Sequence, residues 1–209
     1  MITLYHCPGA RSFRVLWMLE ELKLDYRLET MAFPPRVHAP DYLRLNPLGT
    51  VPLMTEGEET LFDSAAMLIY LAPRGDGSLA LKPGEHGYGD WLSWIIYGEA
   101  DLTMPLATML RYGTFLPEHK RQPAVAADQA GLFIERAARA AERLKSAPYL
   151  CADRFTAADI SVGYALLLSR FTGTHKQWPE PFNDYWARLK ERPAFLAAQA
   201  AQAAQMPAG

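Results

Sequence analysis

Every strand-like stretch of this sequence falls in its first third, and that confinement limits the available folds more than any other feature. Ile2, Thr3, Leu4 and Tyr5 make a short strand. Residues 11–23 carry Val15, Leu19 and Leu22 on one stripe, with Phe13, Leu16 and Trp17 beside it. That is the i, i+4, i+7 spacing of an amphipathic helix. Tyr26, Leu28 and Thr30 then alternate with polar residues, as a half-buried strand does. A proline-rich stretch, Phe33-Pro34-Pro35, leads to a short helical piece at 41–44. Segments 51–54 and 60–62 flank Glu56-Gly57-Glu58-Glu59, a hairpin pattern. Ser64 is a good N-cap for a helix running to residue 72. The β-α-β crossover makes parallel strands and the hairpin adds antiparallel ones, which predicts a mixed sheet with helices on its faces.

Beyond residue 73 the signals are helical. Pro73, Gly75, Gly77, Pro83, Gly84 and Gly87 interrupt a charged stretch and read as a linker. The predicted organisation is an α/β domain at 1–75, a linker at 76–86 and an all-helical domain at 87–209. Trp91, Trp94, Ile95 and Leu102 share a helix face and are expected in the core. Pro105 is expected to kink or end that helix. Residues 124–145 are rich in the helix formers Ala, Glu and Arg. Thr156 with Asp159 three residues later resembles a capping box before the apolar run 160–168. Pro181 and Pro193 punctuate the last helices, and the final dozen residues are expected to fray.

Composition narrows the function classes. A chain of 209 residues holds one large domain or two small ones. Half of it is hydrophobic and 21% is charged, unlike a disordered chain. The net charge of −2 does not suggest a nucleic-acid surface. No uncharged run reaches the roughly 20 residues of a membrane span, and the N-terminus lacks the pattern of a signal peptide. Cys7 and Cys151 cannot build a disulfide framework, so a reducing, cytoplasmic setting is expected. His86, His119 and His175 show no metal-ligand spacing, and no metal is expected.

Four pieces, in order, resemble the cytosolic glutathione transferase superfamily. The first is Leu4-Tyr5-His6-Cys7-Pro8-Gly9-Ala10-Arg11-Ser12-Phe13-Arg14-Val15-Leu16-Trp17, followed by Glu20-Glu21-Leu22. It is similar to the family's strand-to-helix turn. The second, Asn46-Pro47-Leu48-Gly49-Thr50-Val51-Pro52, resembles the loop with a cis-proline. The third is Asp63-Ser64 with Tyr70-Leu71, and the fourth is Phe155-Thr156-Ala157-Ala158-Asp159-Ile160. The resemblance implies a thioredoxin-like N-terminal domain with a four-stranded sheet, an all-α domain after it, a homodimer, glutathione as co-substrate, and a role in detoxification.

Each piece carries chemistry suited to a tripeptide thiol. Val51, before a cis-Pro52, would offer free backbone groups to an extended peptide, as a sheet edge does. Ser64 at a helix N-terminus can receive a carboxylate, and Asp63 can take an ammonium or hold the turn. Arg36, His38 and Thr50 lie in the segment that in such proteins often holds the glycine end. A free thiol has a pKa of about 8.5, and two units of lowering correspond to about 2.7 kcal/mol. One or two charge-assisted hydrogen bonds, at about 1.5–3 kcal/mol each, supply that.

The candidate donors are Ser12, Arg11, Tyr5 and Cys7. Aligned with the serine-type classes, Ala10 stands at the usual serine. Aligned with the bacterial cysteine-type class, Arg11 stands at the cysteine with Ser12 beside it. Aligned with omega and glutaredoxin-like patterns, Cys7 stands at the redox cysteine. Arg14 is read as structural, held in ion pairs. Tyr97, Asp101, Met104, Leu110, Arg111 and Tyr112 lie on the first long helix after the linker and would line the pocket for a small apolar electrophile. Two other functions share these residues: a glutathione-dependent thiol reductase or peroxidase using Cys7, and a non-catalytic binding protein on the same fold.

Overall fold

The structure is a computed structural model, and it describes residues 1–205. The chain forms two compact units. The first is residues 1–80 together with 190–205, and the second is residues 81–189. The final segment thus belongs with the α/β unit, not with the helical domain expected at 87–209.

In the first unit, β1 (Ile2–His6) runs parallel to β2 (Tyr26–Thr30) and antiparallel to β3 (Leu53–Glu56), which pairs antiparallel with β4 (Glu59–Leu61). The order β2-β1-β3-β4 is the mixed four-stranded sheet the sequence predicts. Leu4 stands opposite Leu28 and Met54, and Tyr5 opposite Glu29 and Leu53.

Helix α1 (Ser12–Leu22) buries every residue from Ser12 to Leu19, far more than one amphipathic stripe. The second cover comes from α9 (Pro193–Ala204). Phe195 of α9 lies edge-on to Phe13 at 5.5 Å and to Trp17 at 4.9 Å. Arg192 grips Glu21 through two hydrogen bonds of 2.6 and 2.8 Å. Burying a side chain such as Phe195 contributes about 1.5–3 kcal/mol. The last residues therefore do not fray as a dozen; the helix holds to Ala204, and 206–209 lie outside the described residues. A one-turn helix α2 (Pro35–His38), a 3-10 turn (Pro40–Arg44) and α3 (Ser64–Leu71) complete the unit.

The second unit is helical: α4 (Tyr88–Tyr97), α5 (Met104–Leu110), α6 (Pro123–Leu144), α7 (Ala157–Thr172) and α8 (Pro181–Lys190). A widened turn over Gly98–Thr103 carries α4 directly into α5. Pro105 therefore neither ends the helix nor breaks it, because it falls in the first turn of α5, where a missing N–H is tolerated. Gly98 lets α7 come close: a Cβ there would lie 2.4 Å from Ser161 Oγ. The Thr156–Asp159 capping box forms. Asp159 is wholly buried and also accepts from Leu150 N–H at 3.1 Å and Tyr185 O–H at 2.8 Å. No helix among the described residues is long and apolar enough to cross a membrane.

Candidate functional site

Three backbone features of the first unit converge on ligand chemistry. The first is the loop into β3. Val51–Pro52 is a cis peptide, as the resemblance implied, and Phe33–Pro34 is a second that the sequence did not announce. Val51 lies before the first paired residue of β3, and among the described residues neither its N–H nor its C=O has a hydrogen-bond partner. The loop is braced from behind. The Thr50 carbonyl accepts from Tyr42 O–H at 2.6 Å and from Asn46 Nδ2 at 2.8 Å. Asn46 also takes the Leu48 N–H at 3.2 Å. Arg36 of α2 abuts this loop: a Cβ on Gly49 would sit 2.7 Å from the Arg36 Cβ. His38 is exposed at the end of α2, and Thr50 is exposed in the loop.

The second feature is the start of α3. The N-cap is Asp63, not Ser64: Asp63 Oδ1 accepts from Ala65 N–H at 2.9 Å and Ala66 N–H at 3.1 Å. Ser64 is then the first helical residue, 2% exposed, and Arg14 Nη1 donates to its Oγ at 3.1 Å. Among the described residues nothing accepts from the Ser64 N–H or O–H, and Asp63 Oδ2 has no partner. Two donors and one carboxylate oxygen are therefore left at a helix N-terminus, where the dipole favours an anion.

The third feature is the turn between β1 and α1. Ala10 N–H bonds the Cys7 carbonyl at 3.1 Å, and Gly9 adopts a positive φ of 72°. Ser12 is fully buried. Its Oγ accepts from Cys7 N–H at 3.3 Å and donates to the Cys7 carbonyl at 3.4 Å. Both its hydrogen-bonding roles close the turn, so Ser12 is not presented to a ligand as a thiol donor would be. Arg11 holds the N-cap position of α1 in helical conformation and is half-buried. Tyr5 packs against Tyr42 with ring centroids 5.5 Å apart.

Cys7 is enclosed with Tyr42, Val51 and Leu53, and burial pushes its thiol up to about 12. Reactive thiols are exposed and lowered, so the geometry supports a redox nucleophile at Cys7 least. His6, on the other face of β1, is fully buried, and burial pushes its imidazole down to about 4 against an opposing effect of Gln202.

The expected electrophile pocket divides. Tyr97 and Asp101, four apart on one helix face, line an open cleft of about 870 Å³ within the helical unit. Asp101 pairs with Arg136 at 3.1 Å, Tyr97 O–H donates to the Arg136 carbonyl, and Arg139 lies 5.8 Å over the Trp94 ring. Trp94 is thus a cleft residue rather than a core aromatic. Met104, Arg111 and Tyr112 do not line this cleft. The widened turn at Gly98–Thr103 accommodates more than 3.6 residues and rotates the downstream helix off the Tyr97–Asp101 face. The cleft is also rich in charge, unlike an apolar pocket.

Sequence reading missed Arg14, Tyr42 and Asn46 as parts of the site. A charge in the middle of an apolar helical run was the signal for Arg14. An Asn before Pro-Leu-Gly was the signal for Asn46, because such an Asn side chain braces the adjoining turn.

Comparison with known proteins agrees with this geometry. Residues 8–74 match the glutathione S-transferase N-terminal domain family. Glutathione S-transferase 3 of Schizosaccharomyces pombe is 34% identical over 105 residues, 49% of this chain and 43% of that protein. Glutathione S-transferase 1 of the same yeast is 30% identical over 172 residues, 75% of this chain and 70% of that one. The crystal structure of a glutathione transferase from Methylococcus capsulatus superposes with a TM-score of 0.86 at 25% identity, covering 98% of this chain and all of that one. A thioredoxin-like sheet unit and a helical unit define the class. The chain belongs to the glutathione transferase family.

Proposed function

We propose that this chain binds glutathione and activates its thiol for attack on a small apolar electrophile. The observation that carries the reading is the pair of unfilled Ser64 donors beside the free Asp63 oxygen. They match the γ-glutamyl end of glutathione, a carboxylate and an ammonium on one carbon. Val51 N–H and C=O then pair with the cysteinyl backbone. Arg36, with Thr50 and His38 in the same stretch, serves the glycine carboxylate. That alignment directs the sulfur to the turn before α1, where the helix N-terminus and Arg11 supply positive potential.

With the Ser12 hydroxyl closing the turn and Cys7 enclosed, the Arg11 charge and the positive end of the α1 dipole are the preferred activators, and Tyr5 is the remaining hydroxyl. A homodimeric, cytoplasmic enzyme acting in detoxification completes the proposal. The test is calorimetric binding of glutathione, with an ultraviolet titration of the bound thiolate from pH 5 to 9. Micromolar to low-millimolar binding with a thiol pKa well below that of free glutathione supports the reading. Absent binding at millimolar glutathione overturns it. Binding without a lowered pKa leaves a non-catalytic glutathione-binding protein.

A further inference from the structure

We infer that Arg14 is a positioning residue for glutathione: it fixes the Ser64 hydroxyl so that its proton faces the γ-glutamyl carboxylate. The inference rests on the assignment of Ser64 to that carboxylate. Arg14 is the third residue of α1 and is wholly buried. A buried charge needs polar partners, and one of them is Ser64 Oγ, at 3.1 Å from Arg14 Nη1.

A serine hydroxyl has one proton and two lone pairs. A guanidinium donates only and stays charged at all accessible pH. Once Arg14 occupies a lone pair, the Ser64 proton is turned away from the positive charge. Ser64 is 2% exposed, and among the described residues no acceptor receives that proton or the Ser64 N–H. A buried hydroxyl oriented by a charge and left without an acceptor is complete only with an incoming anion. An unfixed hydroxyl would be free to turn its proton to another acceptor, such as the free Asp63 oxygen.

Arg14 thus ties the helix that presents the thiol-activating turn to the helix that holds the other end of the substrate. Lysine keeps the charge but not the planar fork that reaches the hydroxyl.

The experiment measures calorimetric affinity for glutathione and for 4-aminobutyryl-cysteinyl-glycine, which keeps the amine and thiol but lacks the γ-glutamyl carboxylate. The proteins are the wild type, Arg14→Gln, Arg14→Lys, Ser64→Ala and the Arg14→Gln/Ser64→Ala double variant. Arg14→Gln is expected to weaken glutathione about ten-fold, the size of one charge-assisted hydrogen bond, and the analogue less than about two-fold. In the Ser64→Ala background the same change is expected to alter glutathione affinity less than about two-fold.

Equal weakening of both ligands by Arg14→Gln, or a full effect that persists without the Ser64 hydroxyl, overturns the inference and leaves Arg14 structural. A Ser64→Ala variant that does not distinguish the two ligands overturns the Ser64 assignment itself. Should neither Arg14 variant fold, the guanidinium ¹⁵N resonances of the intact protein decide. Glutathione is expected to shift them and the analogue to leave them in place; no shift with either overturns the proposal.

Discussion

Gln202, near the end of α9, accepts a hydrogen bond at 3.2 Å from the backbone N–H of Gly9, 193 positions earlier in the chain. Gly9 lies in the turn that leads into α1. Gln202 Nε2 is itself held by Gln199 at 2.7 Å, and Thr30 O–H reaches Gln205 at 3.3 Å. The last helix therefore braces the turn proposed to carry the thiol. Removing the acceptor by Gln202→Ala is expected to speed Gly9 amide exchange about ten-fold and to cost about 1 kcal/mol of stability. Hydrogen exchange followed by NMR measures it, and unchanged Gly9 protection would show that the turn does not depend on α9.

Cys7→Ala tests the redox alternative. With the thiol buried and raised to about 12, almost none is thiolate at neutral pH. The substitution is expected to leave the bound-glutathione thiolate titration unchanged and to cost about 1–2 kcal/mol for the lost packing. Loss of glutathione-dependent disulfide reduction, with conjugation intact, would instead restore Cys7 as a nucleophile reached through a transient opening.

Much of this arrangement was readable because it depends on local chemistry. The alternation at Tyr26, Leu28 and Thr30 gave β2, and the Thr156–Asp159 spacing gave the cap of α7. The eight-residue buried run of α1 was not readable as such, because its second cover, Phe195, comes from the far end of the chain. Ser12 shows the same limit at the site. A serine at a helix start has the right chemistry for a donor, but its partners were set by the path of the Cys7 backbone. Asp63 and Ser64 exchanged roles for a similar reason. Both can cap, and the extended backbone at Asp63, with φ −125° and ψ 130°, decides which one does. The split of the expected acceptor pocket came from a widened helical turn that no periodicity rule anticipates.

Gly49→Ala tests the loop that holds the Val51 edge. Gly49 has a φ of +59°, and a Cβ there would meet the Arg36 Cβ at 2.7 Å and Leu43 Cδ2 at 2.9 Å. The left-handed conformation alone costs a non-glycine residue about 1–2 kcal/mol. The clash must also displace Arg36 or the loop. Stability is expected to fall by about 2 kcal/mol or more, with glutathione affinity falling alongside it. Thermal melts and calorimetry on one sample measure both. A destabilised variant with unchanged affinity would separate this loop from ligand binding.

Acid should pull the two units apart in stability, because the sheet unit holds a buried histidine and the helical unit a buried aspartate whose titrations act in opposite directions. His6, in the sheet unit, is lowered from 6.5 to about 4 by burial. Between those values the unfolded chain binds a proton that the folded unit does not, so stability is lost as pH falls, by about 3 kcal/mol over the window. Glu56 acts in the same direction, since Arg74 holds its carboxyl below the ordinary range. Asp159, in the helical unit, is raised from 3.8 to about 6 because burial outweighs the hydrogen bonds it accepts. Here the folded unit binds the extra proton, so stability is gained as pH falls from 6 to 3.8 and is lost as pH rises back through that range. Exchange protection followed by mass spectrometry, corrected for intrinsic rates, is expected to decline in residues 1–80 between about pH 6.5 and 4 while that of residues 81–189 holds or rises. His6→Leu is expected to flatten the first trend, and Asp159→Asn the second at a lower overall stability. Parallel loss in both units would mean that the buried Asp159 network is held as tightly by the carboxylate as by the acid, and that burial does not set its titration.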